Sequence, residues 1–359
     1  MMTLAQTLEI WKSTIGLPSG TPLWIVATIG IFFIYTIVIL PSGAVVSFVD
    51  RKLSADFQAR VGPNRSGPWG LLQPLADLLK FLQKEPSSEW NWHETLWLGV
   101  HTMALYSTVA VMPLGSAAIL VNTDMSAFLP FWSALVLALG TMLMGFSQGT
   151  VSGWFGGVRL AAQALAGAFP ALICVLCAGI RSGSFRWASF AEVQGASPLH
   201  WTATTNPFQF IAMIVFIASG LIIMNVPPMD GGLSVMDLHG GVSSDLSGRR
   251  LSLFRLGRFY GFFLWSQITV VLFLGAWTLP SWLVERVTDG SEHLLREIIE
   301  LVWLLAKTYG LMMILIWIAR VNPRARVDQT TDFSWKVLSP FSLGALIGAA
   351  LWAGWRAML

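Results

Sequence analysis

Eight stretches of this chain are nearly free of charge, at about 23–48, 96–120, 127–148, 160–180, 207–226, 256–280, 298–319 and 338–356. Crossing hydrocarbon takes roughly 20 apolar residues in a helix, so each run predicts a membrane span. The sixth is weakest at its start, where Arg255 and Arg258 interrupt it. A different pattern fills the connection between the first two runs. There Leu75, Leu78, Leu79 and Leu82 recur at helical spacing, with Asp77, Lys80 and Lys84 on the opposite face. Pro74 suits a first helical turn, where its missing N–H leaves no partner wanting. The segment predicts an amphipathic helix lying on the membrane surface or against a partner. The fold class expected is all-α: a polytopic membrane protein of about eight transmembrane helices, with an amphipathic surface helix between the first two.

Composition agrees with the pattern. Of 359 residues, 55% are hydrophobic and 11% charged, against about 25% charged in soluble domains; the mean hydropathy is +0.65. Fifteen of the 22 Lys/Arg, with Arg258 at the start of the sixth run included, fall in the connections after runs one, three, five and seven. That excess marks the cytoplasmic side, so the termini are expected in the periplasm and the chain in a cell inner membrane. The +3 net charge follows from this bias, and nucleic acid is not an expected partner. No internal repeat is evident, and residues 1–359 read as a single membrane domain. Its cytoplasmic parts are 49–95, 223–255 and 320–337.

Candidate chemistry is sparse. Cys174 and Cys177 form a CxxC inside the fourth run, where small buried residues are the better reading than a redox or zinc pair. The five histidines have no metal-ligand spacing. The loop "RVGPNRSGPWGLLQPL" (60–75) is more particular. Gly62-Pro63, Gly67-Pro68 and Gly70 fix tight turns, and Gln58, Arg60, Asn64 and Arg65 supply hydrogen-bonding heads. Irregular backbone near membrane depth must be buried in protein or line a cavity.

"DRKLSADFQARVGPNRSGPWGLLQPLADLLKFLQKE" closely resembles the signature of the H subunit of bacterial NADH:quinone oxidoreductase, the counterpart of mitochondrial complex I subunit one. "GGVRLAAQ" (156–163), "LFLGAW" (272–277) and "PRARVDQTTDFSWKVLSP" (323–340) align with the same family in order. The resemblance implies a subunit at the heel of the membrane arm. It would complete a quinone chamber and dock the peripheral arm, with no cofactor of its own. FMN and iron–sulfur clusters would reside in partner subunits, quinone would be the substrate, and catalysis would belong to the assembled translocase. The positions implied for chamber and docking are Asp50, Arg51, Gln58, Arg60, Gly62, Pro63, Asn64, Arg65, Gln73, Asp77 and Lys80 in the first loop. Arg159 and Gln163 join them at the fourth run, Asp230 in the loop after the fifth, and Arg324, Arg326 and Asp328 in the last. For most of these positions, holding the loops in place is the commoner role than touching quinone.

The chain departs from the family in its acids. Proton coupling there is attributed to intramembrane glutamates and an acidic loop. Here Ala168 and Arg258 occupy two such glutamate positions, and Glu192 is the only acid between Asp124 and Asp230. Asp237 and Asp245 stand near former loop glutamates, and Lys307 survives inside the seventh run. These three are the expected coupling remnants, with an acid on a neighbouring subunit as the expected partner of Lys307. A charge inside a span is costly and usually functional, so the missing carboxylates suggest impaired coupling at this subunit. Two rival readings are a hydrogenase-type membrane complex without quinone, and a non-redox scaffold or transporter derived from the family.

Overall fold

The structure is a computed structural model that describes residues 25, 30, 40–85, 91–116, 119, 123–195, 197–233, 241–280 and 293–358. Eleven helices carry the account: α1 Leu40–Phe57, α2 Gln73–Gln83, α3 Trp92–Val111, α4 Leu129–Ser147, α5 Val151–Ser182, α6 Trp187–Val193, α7 Pro207–Ile223, α8 Gly248–Phe273, α9 His293–Val321, α10 Val327–Phe333 and α11 Ser339–Met358. The described residues form no strand. Among the described residues, five helical segments are long and apolar enough to cross a membrane, and α7 is a shorter apolar helix. The chain is an all-α polytopic membrane protein. Most of the first expected span lies outside the described residues.

Helix limits differ from the hydropathy runs where polar residues find partners. The helix α5 starts at Val151, well before residue 160, because Thr150 caps it by accepting a hydrogen bond from the Gly153 amide. It ends where Gly183 turns left-handed at φ 67°. The helix α8 starts at Gly248 and so contains Arg249, Arg250, Arg255 and Arg258. The connection 320–337, read as a loop, is helical from Val327 and runs through a π turn at Ser334–Leu338 into α11. Within that turn the Ser334 hydroxyl donates to the Ala166 carbonyl at 2.7 Å, fastening it to α5.

The helices α4 and α5 pack closely, as do α3 and α4. The helix α7 lies between α5, α8 and α11, and α8 also meets α1, α3 and α9. Without a hydrophobic drive between helices in lipid, such contacts rely on close packing. Trp265 on α8 stacks on Phe216 of α7 at 4.6 Å and donates its indole N–H to the Phe216 carbonyl at 3.0 Å. A Cβ at Gly220 would lie 1.7 Å from that indole nitrogen, so the contact requires glycine. This aromatic joint centres the apolar core, and the arginines of α8 gather at the end where α1 leads into its loop.

Candidate functional site

The first loop is built around a glycine. Gly70 has φ 83°, and a Cβ there would lie 2.2 Å from the Pro63 carbonyl oxygen, so only glycine lets the loop fold back on itself. The Pro63 carbonyl also accepts from Lys52 Nζ at 3.3 Å. Gly62 packs over Lys52 and Ala55. The Ser66 hydroxyl donates to Gln73 Oε1 at 2.8 Å, and Gln73 Nε2 donates to Asp77 Oδ1 at 3.2 Å. Asp77 pairs with Arg51 at 2.5 Å. One polar chain thus ties the loop, α2 and α1 together. Leu75, Leu79 and Leu82 face outward from the bundle, as do Leu71 and Trp69, which is 79% exposed. Gln58, Arg60, Asn64, Arg65 and Lys80 are also exposed.

Beside that loop, α1, α8, α9 and the segment after α7 enclose a cavity of about 270 Å³. Its polar wall is five arginines (Arg51, Arg255, Arg258, Arg320 and Arg324) with Asp50 and Asp230. Val46, Phe259, Phe262 and Ile316 form much of the apolar remainder. Asp50 takes Arg320 through both carboxylate oxygens, the shortest contact being 2.5 Å. Asp230, buried, pairs with Arg324 at 3.6 Å. Arg258 donates through Nη2 to the Asn225 carbonyl at 2.6 Å, while its Nε is buried without a hydrogen-bond partner. Arg255 lies 5.9 Å from the Phe81 ring centre. Neither Arg255 nor Arg258 has a carboxylate partner among the described residues. The cavity therefore offers unspent guanidinium donors, which favour planar acceptors and developing negative charge.

Four sequence candidates, Asp50, Arg51, Asp230 and Arg324, meet at this cavity. Others hold its walls. Gln163 is fully buried and joins three elements. Its Nε2 donates to Thr330 Oγ1 at 2.7 Å and to the Met229 carbonyl at 3.3 Å, and its Oε1 accepts from the Gly232 amide at 3.3 Å. The Ala325 amide donates to the Pro228 carbonyl at 2.8 Å, closing the same seam. Arg326 and Asp328 are exposed at the start of α10 and stand apart from the cavity lining, as does half-buried Arg159. Asp245 accepts from the Thr150 hydroxyl at 2.5 Å. Asp237 lies outside the described residues.

Lys307 has partners within the chain. Its Nζ donates to the carbonyls of Leu274, Gly275 and Ala276 at 3.1–3.2 Å. The Trp201 and Trp303 rings lie 5.0 and 5.5 Å from it. Carbonyl dipoles and two π faces hold the cation within the chain.

Three residues of the arginine-rich end were not among the expected site residues. Glu94, in the first turn of α3, is 3% exposed and bonds Arg250 at 2.7 Å. The expected second span began at 96, so this buried carboxylate was not counted with the spans. Arg255 and Arg320 line the cavity. The interruption of the sixth run by Arg255 was their one available signal.

The fold and the apolar helices define an all-α polytopic membrane protein with an arginine-walled cavity beside a glycine-fixed loop. The sequence profile described as "NADH dehydrogenase" matches residues 29–350. The chain belongs to that family. It is 30% identical to the H subunit of the NADH-quinone oxidoreductase of Chlorobaculum parvum, over 98% of this chain and 99% of the relative. The same-named protein of Chlorobaculum tepidum is also 30% identical, with the same coverage. That of Anaeromyxobacter dehalogenans is 29% identical over 92% of this chain and 83% of the relative.

Proposed function

We propose that this chain is the membrane subunit of an NADH-quinone oxidoreductase that walls the quinone headgroup site and carries the soluble arm. The observation that supports it is the cavity of about 270 Å³ in which Arg255 and Arg258 have no carboxylate partner among the described residues. Small-molecule pockets begin at roughly 300 Å³, so this space suits a headgroup and leaves the tail to an apolar slot. A quinone presents two carbonyl acceptors, and reduction makes them more basic. Guanidinium donors fixed around them favour the reduced, charged forms. Asp50 and Asp230 hold Arg320 and Arg324 in place, and Asp77 holds Arg51.

The exposed heads of Arg60, Asn64, Arg65 and Lys80 are the proposed contacts with the peripheral arm, whose subunits would hold FMN and the iron–sulfur clusters. The outward leucines of α2 would face lipid. Between the expected second and sixth spans the chain carries no carboxylate route through the bundle. Glu94, which is committed to its ion pair with Arg250, does not change this. Coupling at this subunit is accordingly weak in the proposed reading.

Arg255→Met in the intact complex tests the site. A hydrogen bond to a charged group contributes about 1.5–3 kcal/mol. The KM for quinone should therefore rise about tenfold to a hundredfold, while assembly is retained. The exposed, non-lining Arg326→Met serves as control. An unchanged KM in Arg255→Met and Arg258→Met alike would remove quinone from this cavity.

A further inference from the structure

Behind the arginine-walled cavity lies a second, smaller one of about 20 Å³. Among the described residues, Arg258 alone lines both. The other polar residues of the smaller void are His101 of α3, Thr141 of α4 and Asn225 after α7. His101 is 2% exposed, deep in the bundle, and neither of its ring nitrogens has a hydrogen-bond partner among the described residues. The Leu137 carbonyl on α4 faces the ring without meeting hydrogen-bond geometry. Asn225 Oδ1 and Arg258 Nε are likewise buried and unpaired. The Thr141 hydroxyl is committed to the Ala138 carbonyl at 2.8 Å.

The three residues that carry these four unpaired atoms all line one void. Each buried polar group left unpaired costs about 1–3 kcal/mol, so coincidence is a poor account of the set. A void needs about 10–15 Å³ and two to four polar partners to hold a water, and this one meets both conditions. We propose that it binds a water bridging His101, Asn225 and Arg258, and that His101 is a proton-holding residue feeding the larger cavity past Arg258.

The electrostatics favour a transient role. The other elements lining the void are α4, α5 through Leu160, the segment after α7, the short turn at Leu233, and α8. Among all their lining residues Arg258 is the only charged group besides the imidazole itself. A resting imidazolium would be a second cation with no acid beside it, so the resting ring is neutral. Negative charge arriving on the far side of Arg258 removes that objection. A proton from solvent in the larger cavity then passes through the bridging water, which gives one proton to the ring as it receives another, so the second ring N–H forms and the water stays neutral. It leaves by the same water when an acceptor oxygen in the larger cavity takes it.

Making a quinol from a quinone consumes two electrons, here from the partner subunits' redox centres, and two protons. This path would carry protons one at a time, breaking an imidazolium N–H and forming a quinol O–H. That destination rests on the function proposed above; the bound water does not.

The test uses the intact complex. First, a density map at a resolution that shows waters should have one within hydrogen-bond distance of a His101 ring nitrogen. A dry void overturns the site, and this reading needs no variant. Second, quinone reduction is followed from about pH 4 to pH 8, reaching below the range in which an unperturbed histidine titrates because the buried ring beside Arg258 resists protonation, in the unmodified complex and in His101→Asn. The unmodified complex should show a pH-dependent limb, and in His101→Asn that limb should flatten to within about twofold. Superimposable profiles, with the variant assembled, would overturn the proton-holding role. Should His101→Asn fail to assemble, His101→Gln and the water density decide in its place. If the complex binds the water but quinone-site inhibitors do not act on it, the quinone reading fails while the hydrated site stands.

Discussion

Glu94 and Arg250 form a pair whose energetics can be worked from the structure. The side chains are 5% and 10% exposed and meet at 2.7 Å. Breaking such a pair from one side costs about 3–5 kcal/mol, because the surviving charge stays buried without its counterpart. Replacing both members with apolar residues of similar size is neutral or favourable in comparable cases. Glu94→Leu and Arg250→Met should each destabilise the complex strongly, and the double variant should recover at least half the loss. A coupling of about 2 kcal/mol or more is expected, equivalent to about a thirtyfold difference in half-life. The assay is the half-life of quinone reductase activity in detergent at a fixed raised temperature, with subunit retention followed on native gels. A double variant that decays as fast as Glu94→Leu alone would refute the reasoning. The pair would then not be an isolated ionic unit. The Thr150–Asp245 contact nearby would have to share in it.

Three further outcomes are expected. Gln163→Leu removes three hydrogen bonds of about 1 kcal/mol each. Amide exchange should accelerate in residues 225–233 and 327–333, and unchanged exchange would contradict the clamp. Gly70→Ala forces a side chain into left-handed backbone, at about 1–2 kcal/mol, and into the Pro63 carbonyl. Proteolysis after Arg60 or Arg65 should quicken relative to Gly99→Ala, where a Cβ meets nothing within 4 Å; equal cleavage rates would count against the fold-back. In sealed vesicles, the proton yield per electron should be lower for the unmodified complex than for one carrying Ala168→Glu, and a full yield without the substitution would dispose of weak coupling.

Hydropathy located α3, α4, α5, α7, α8, α9 and α11 because apolar length is a local property. It misplaced helix starts at α5 and α8 because polar groups there are satisfied by residues far along the chain. The charges of Arg250 and Arg258 sit inside α8, since one meets Glu94 and the other the Asn225 carbonyl. No window along the sequence contains those pairs. Motif resemblance found Asp50, Arg51, Asp230 and Arg324, which do come together, and also Gln163. It could not say that Gln163 is a fully enclosed clamp to Thr330, 167 positions away. The intrachain partners of Lys307 were not legible because sequence displays side chains and hides carbonyls. Its partners are the backbone of 274–276. His101 was set aside with the other histidines because none has metal-ligand spacing in the sequence. Its unpaired nitrogens and the void beside them exist only in three dimensions.

The central claim is that a quinone headgroup occupies the space between α1, α8 and α9. A photoreactive quinone analogue applied to the intact complex, followed by peptide mapping, examines it most directly. The account predicts label on peptides containing Arg255, Arg258 or Arg320, competed away by excess quinone. Competable label confined to other subunits, with none on these peptides, would contradict it.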